Sequence, residues 1–182
     1  MRVLVAYASK HGSTREIAGR IAARLSGAGL QAEALPVGEV RDLASFDAVV
    51  LGSALYMFHW LGEAKAFARR NRAALAGKPV WLFSSGPLGP EPLDRQGRDK
   101  LEVSGPRELD ELRQTLRPRD HRVFWGAWSR ASKPIGFLER AVLALPAGRA
   151  SLPDADFRDW PNIDAWADDI AAGLSKKTPG PK

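Results

Sequence analysis

Short apolar runs alternate with amphipathic stretches along the chain, and the alternation predicts strands and helices in turn. Val3-Leu4-Val5-Ala6-Tyr7 is a continuous β-forming run, the pattern of a strand covered on both faces of a parallel sheet. The next stretch is helical: Ile17, Ile21 and Leu25 lie four apart on one face, Arg15, Arg20 and Arg24 lie off it, and Gly27 and Gly29 stop it. Ser13 and Glu16 have the spacing of a capping box at its start. Residues 31–37, 46–52, 78–83 and 122–127 read as further strands, and 60–76, 106–116, 135–145 and 162–174 as further helices. Residues 86–105, rich in Pro, Gly and charge, predict a long exposed loop.

Strands and helices in this rhythm argue for right-handed βαβ units and an α/β three-layer sandwich. Its expected centre is a five-stranded parallel sheet in the order 2-1-3-4-5. Ligands of such a sheet sit beyond the carboxyl ends of its strands, where the order switches between the first and third, which selects the loops 8–14, 53–60, 84–90 and 126–133. One domain is expected over 1–175, with a disordered tail at 176–182.

Composition narrows the chemistry. At 182 residues the chain can bury about 70% of its unfolded surface without staples. It has no cysteine, which removes disulfides, thiolate metal sites and cysteine nucleophiles, so redox chemistry would need a bound cofactor. Met1-Arg2 leads straight into a strand with no leader pattern, and no apolar run approaches the roughly 20 residues of a membrane span, so a cytoplasmic protein is expected. The net charge of +6 favours acidic partners. It concentrates between Arg117 and Arg149, where Arg119, Arg122, Arg130, Lys133 and Arg140 face only Asp120 and Glu139. With Ile135, Phe137, Leu138 and Val142 interleaved, this segment reads as a helix packed on the sheet, a docking surface, or a peripheral contact at the inner face of the membrane. No nucleic-acid motif accompanies the charge, and nucleic acid is not an expected partner.

The loop Ala8-Ser9-Lys10-His11-Gly12-Ser13-Thr14 joins the first strand to the first helix, where backbone N–H groups and the helix dipole can hold a phosphate. It lacks the spacing of a dinucleotide loop and the Lys-Ser/Thr ending of a P-loop, so a mononucleotide phosphate suits it better than NAD or ATP. A plain tight turn with a capped helix is the bland alternative.

Residues 7–18, the strand and loop Asp47 to Ala54, the run Pro79 to Pro87 and the stretch Asp156-Phe157-Arg158-Asp159-Trp160 together resemble the flavodoxin family. They are most similar to its branch of protoporphyrinogen dehydrogenase-like proteins that pass electrons to quinones. The family's Ser/Thr-x-Ser/Thr-Gly-x-Thr loop maps onto Ser9, Gly12 and Thr14, with His11 in place of the middle hydroxyl. The resemblance implies a flavodoxin-like fold and bound FMN. It places the FMN site at Ser9, Lys10, His11, Gly12, Ser13 and Thr14, at Ser53, Ala54, Leu55 and Tyr56, and at Ser84, Ser85, Gly86 and Pro87.

In that family the loops after the third and fourth strands enclose the flavin ring. Here Tyr56, Phe58 and Trp60 crowd the first, while Ser84 to Gly89 has no aromatic and leaves a face open unless Trp125 or Trp128 covers it. An open face favours an FMN oxidoreductase that takes electrons from a small planar substrate such as a porphyrinogen and gives them to a quinone. A non-catalytic electron carrier with a redox protein partner, and a cofactor-free fold used for binding, remain as alternatives. His59 and His121 have no partner that the sequence names.

Overall fold

Alternation along each strand decides which side of the sheet its residues cover. Of the first strand, β1 (Arg2–Ala8), Val3, Val5 and Tyr7 enter one core and Leu4, Ala6 and Ala8 the other. The computed structural model describes residues 1–89, 91–129, 144 and 154–175. Within them β2 (Gln31–Pro36), β3 (Ala48–Tyr56), β5 (Val80–Ser85) and β6 (Asp120–Phe124) join β1 in one sheet of order β2-β1-β3-β5-β6, with every neighbouring pair parallel. This is the expected five-strand order, with one two-residue strand, β4 (His59–Trp60), inserted in the numbering and paired antiparallel to β3.

Helices cover both faces. On one side α1 (Ser13–Gly27) and the last helix, α6 (Trp160–Ser175), pack Ile17, Ile21, Leu25, Ile163, Trp166 and Ile170 against the sheet. Arg20–Asp164 and Arg24–Asp168 fork across these two helices with N···O distances of 2.6–2.8 Å. Exposed pairs of this kind add at most about 1 kcal/mol each, so the apolar contact carries the packing. On the other side α2 (Gly62–Arg70), α3 (Arg72–Ala76) and α5 (Leu109–Leu116) bury Ala64, Phe67, Leu75, Leu112 and Leu116.

The helix expected over 60–76 is different in two respects. Trp60 pairs with Leu55 in the β3–β4 ladder, so the helix begins at Gly62. It breaks at Asn71, whose backbone N–H and side-chain amide both reach the Phe67 carbonyl, at 3.1 and 3.0 Å. The two residues between β3 and β4, Met57 and Phe58, both have positive φ, 50° and 63°, the requirement of a type I′ turn normally met by Asn-Gly. Their side chains are exposed.

The loop after β5 is shaped by its own side chains. Asp94 Oδ1 accepts from the N–H groups of Gln96 and Arg98, and Asp99 caps the short α4 (Lys100–Val103). Strand β6 ends at Phe124 and not at 127, because Gly126 donates to the Pro87 carbonyl and accepts from Phe157 N–H, which turns the chain out of the sheet. Ala127–Trp128, β7, then forms an antiparallel ribbon with Ala155–Asp156, β8. The expected helix 135–145, apart from Ala144, much of the basic segment and the tail 176–182 lie outside the described residues.

Candidate functional site

The β1–α1 loop is built around one glycine. Gly12 is the N-cap of α1 with φ 91°, a left-handed conformation that L side chains rarely adopt. Its N–H donates to Ser9 Oγ at 3.1 Å, and its carbonyl accepts the first helical bond, from Glu16 N–H, at 3.0 Å. The N–H groups of Ser13, Thr14 and Arg15 precede that bond, have no acceptor within the helix, and lie at its positive end. Thr14 is 1% exposed and its Oγ1 has no hydrogen-bond partner. The capping box does not form. Ser13 is the first helical residue, and its Oγ is taken up by Ala127 N–H at 3.1 Å, with Ser85 Oγ 3.5 Å away.

The loops after β3 and β5 stand beside it, and several of their hydroxyls are engaged within the protein. Ser53 Oγ accepts from Leu61 N–H at 3.0 Å and lies 2.9 Å from the Ala54 carbonyl. Ser84 Oγ accepts from Trp60 Nε1 at 2.8 Å and lies 3.0 Å from His121 Nε2. The Trp60 indole therefore belongs to the core under the loop and does not crowd its outer face. Tyr56 is half-buried against the same core, with Lys10 Nζ 4.2 Å from its ring centroid. Gly86 donates to the Phe124 carbonyl at 3.0 Å, and a Cβ on it would meet Leu55 Cβ at 2.7 Å. Gly86 is thus a close contact between the two loops, and a bulky side chain there would part them before reaching a substrate.

Residues 4–145 match the flavodoxin domain. The chain belongs to the flavodoxin-domain family. Protoporphyrinogen IX dehydrogenase (quinone) of Escherichia coli strain K12 is 23% identical over 183 residues, covering 98% of this chain and 99% of that protein. Among solved structures, a flavodoxin from the domain Archaea superposes with a TM-score of 0.59 at 15% identity, covering 96% of this chain and 99% of that one. A point mutant of flavodoxin from Pseudomonas aeruginosa superposes with a TM-score of 0.58 at 17% identity, with the same coverage.

On this flavodoxin domain the β7–β8 ribbon abuts the β1–α1 loop. Ala127 holds Ser13, and the Trp128 ring meets His11 edge-on with centroids 4.6 Å apart. A cleft of about 300 Å³ runs between them, lined by His11, Ser13, Glu16, Trp128 and Arg158. Arg158, its side chain 8% exposed, forks onto Asp156 at 2.6 and 2.8 Å, reaches Glu16 at 2.7 Å and stacks on Trp160. Glu16, which the sequence pattern makes a capping partner, is therefore held by Arg158. In the sequence Trp128 stands out only as a cover for the ring, and no local signal ties it to residue 11.

The two histidines left without partners in the sequence both find one. His59 Nδ1 lies 2.7 Å from Glu108 Oε1, which also accepts from Lys65 at 2.8 Å. Burial works against the Glu108 carboxylate, but these hydrogen bonds outweigh it and hold its pKa at about 2. Burial, with Arg113 nearby, lowers the pKa of His121 from 6.5 to about 4. The neutral ring can accept the Ser84 hydroxyl proton at Nε2 while that oxygen takes the Trp60 N–H. Since the folded pKa is depressed, the unfolded chain binds a proton between pH 6.5 and 4 that the native state refuses, so stability falls as pH falls through that window. Lowering the pH from 7 to 5 is expected to cost the wild type about 2 kcal/mol more than His121→Gln, read as urea midpoints at the two pH values. Glu108 titrates below this range. Equal losses in the two proteins would remove His121 as the source.

Proposed function

We propose that this flavodoxin domain binds one FMN at the β1–α1 loop and works as an oxidoreductase, passing electrons from a small planar reduced substrate of the porphyrinogen kind to a quinone. The observation that carries the cofactor reading is the Thr14 hydroxyl, buried and unpartnered in the first turn of a helix whose leading amides have no acceptor within it. A buried hydroxyl without a partner costs about 1–3 kcal/mol, and a phosphate oxygen would satisfy it. Gly12 lets the backbone close to such a group, Ser9 fixes that turn, and the Arg15 guanidinium stands beside it, 3.5 Å from where a Gly12 Cβ would sit. These residues fit a mononucleotide phosphate.

In this reading FMN supplies the electron-transfer chemistry, and the protein supplies binding and orientation. Tyr56 with Lys10, and Ser85, Gly86 and Pro87 at the end of β5, would hold the ring, and the small residues of the second group would leave room for a flat substrate. The Escherichia coli relative named for protoporphyrinogen IX and quinone supports the substrate class. Among the described residues no helix is long and apolar enough to cross a membrane. The reading places the protein in the cytoplasm, meeting a membrane-borne quinone at the surface.

Absorbance of the purified protein tests the first half, with one FMN per chain as the expected result. For the second half, anaerobically reduced protein is mixed with a menaquinone analogue and oxidised protein with a porphyrinogen, and flavin absorbance is followed in both. Fast reaction in both directions supports the enzyme. Slow reaction with both, beside rapid exchange with a redox protein, replaces it by the electron carrier.

A further inference from the structure

Buried polar side-chain atoms in folded proteins nearly always have a partner. Among the described residues two do not, Thr14 Oγ1 and Trp128 Nε1. They are 114 positions apart in sequence, yet both flank one contact: Ala127 N–H donates to Ser13 Oγ, and each orphan is the chain neighbour of one member of that pair. The Trp128 ring also lies against His11, three residues before Thr14. An indole N–H can only donate, so whatever satisfies Trp128 must present an acceptor. A negatively charged one suits the positive end of α1 and the Arg15 guanidinium at the loop; of the three carboxylates that line the cleft, Glu16, Asp154 and Asp156, the first and last are held by Arg158.

We infer that Trp128 is a second side-chain donor to the phosphate of the bound mononucleotide, acting from the β7–β8 ribbon beside Thr14 of the β1–α1 loop. The inference rests on the FMN reading above and adds to it a residue of the fourth expected ligand loop, 126–133, from which the resemblance assigned no FMN contact. It also accounts for His11. The resemblance places a hydroxyl at that position, and here the side chain that replaces it supports the edge of an indole whose N–H restores a donor.

Trp128→Phe keeps a ring against His11 and removes the N–H. Kd values of the apoprotein for FMN and for riboflavin, which lacks the phosphate, are measured by flavin fluorescence for wild type and variant. In parallel the ¹⁵N-indole spectrum is recorded with FMN, riboflavin and inorganic phosphate; the chain has six tryptophans, and the variant assigns the Trp128 resonance by its loss. Trp128→Phe is expected to weaken FMN about tenfold or more, as for one hydrogen bond to a charged acceptor, and to leave riboflavin unchanged. The Trp128 N–H resonance should shift with FMN and with phosphate and stay put with riboflavin. An equal loss for both flavins, or no loss and no shift, overturns the inference while leaving FMN binding intact. Wild-type protein that takes neither flavin overturns the cofactor reading instead. Inorganic phosphate then decides the anion contact alone: a shift at Trp128 supports the donor role and no shift removes it.

Discussion

Gly12→Val is expected to weaken FMN binding by about a hundredfold or more, equivalent to roughly 3 kcal/mol, while the apoprotein keeps its fold. The effect does not come from a collision at Cβ. A methylene there would meet Arg15 Nη2 at 3.5 Å and Glu16 Oε1 at 3.8 Å, both ordinary contact distances. It comes from the backbone: φ 91° is outside what a β-branched residue adopts without strain, at a cost of about 1–2 kcal/mol even in the more favourable left-handed region. A valine that escapes the strain by rotating to negative φ carries its own peptide with it. That would break the bond from Gly12 N–H to Ser9 Oγ, disturb the one from Glu16 N–H to the Gly12 carbonyl, and turn the following N–H groups away from the anion.

The core below does not depend on this turn, since Ile17, Ile21 and Leu25 remain packed against β1 and β3. Thermal unfolding of the apoprotein should therefore shift by only a few degrees, for a loss of about 1–2 kcal/mol. The measurement pairs that melt with a fluorescence titration. Unchanged FMN affinity beside a lowered melting temperature would put the phosphate somewhere other than this loop.

The difference between what sequence reading reached and what it missed follows sequence separation. Strands β1, β3 and β5 are apolar runs with β-branched and aromatic residues, and their burial on both sides leaves little room for another assignment. The sheet order follows from the connections, because α1 joins β1 to β2, α2 and α3 lead to β5, α4 and α5 join β5 to β6, and right-handed crossovers allow few arrangements. The β1–α1 loop was legible for the same reason, since its glycine and hydroxyls act within a few residues of one another. What stayed hidden depends on partners far along the chain. Ser13 and Glu16 satisfy the local pattern of a capping box, but Ala127 and Arg158, 114 and 142 residues away, compete for them. Trp60 looks like the start of a helix until Leu55 offers it a ladder partner and Ser84 a hydrogen bond. His121 and Trp128 become informative only when β6 and β7 are placed beside β5 and α1.

Gly52→Ala is expected to be the costliest single-methyl addition in the described chain, destabilising the protein by about 3 kcal/mol, at the upper end of overpacking effects. Gly52 and Phe83 are register partners on adjacent central strands, β3 and β5. With no side chain on β3 at that position, the Phe83 ring lies across the gap, so a Cβ on Gly52 would fall 2.0 Å from Cζ and 2.1 Å from Cε1. The ring is fully buried and has little freedom to move. Phe124 and Trp166 stand 6.2 Å from it and 5.5 Å from each other, closing an aromatic cluster under α6. The next residue along each strand is Ser53 and Ser84, whose bonds to Leu61 and Trp60 position the loops of the proposed site, so displacement of the ring should reach cofactor binding as well as stability. Phe83→Leu provides the control. It costs stability on its own by removing ring contacts, but it clears space over Gly52, so Gly52→Ala should cost markedly less in the Phe83→Leu background than in wild type. Urea unfolding of the four proteins gives the coupling directly. A coupling near zero would mean that the methyl group finds room without displacing the ring, and the close packing of Phe83 over Gly52 would then not be what requires glycine at this position.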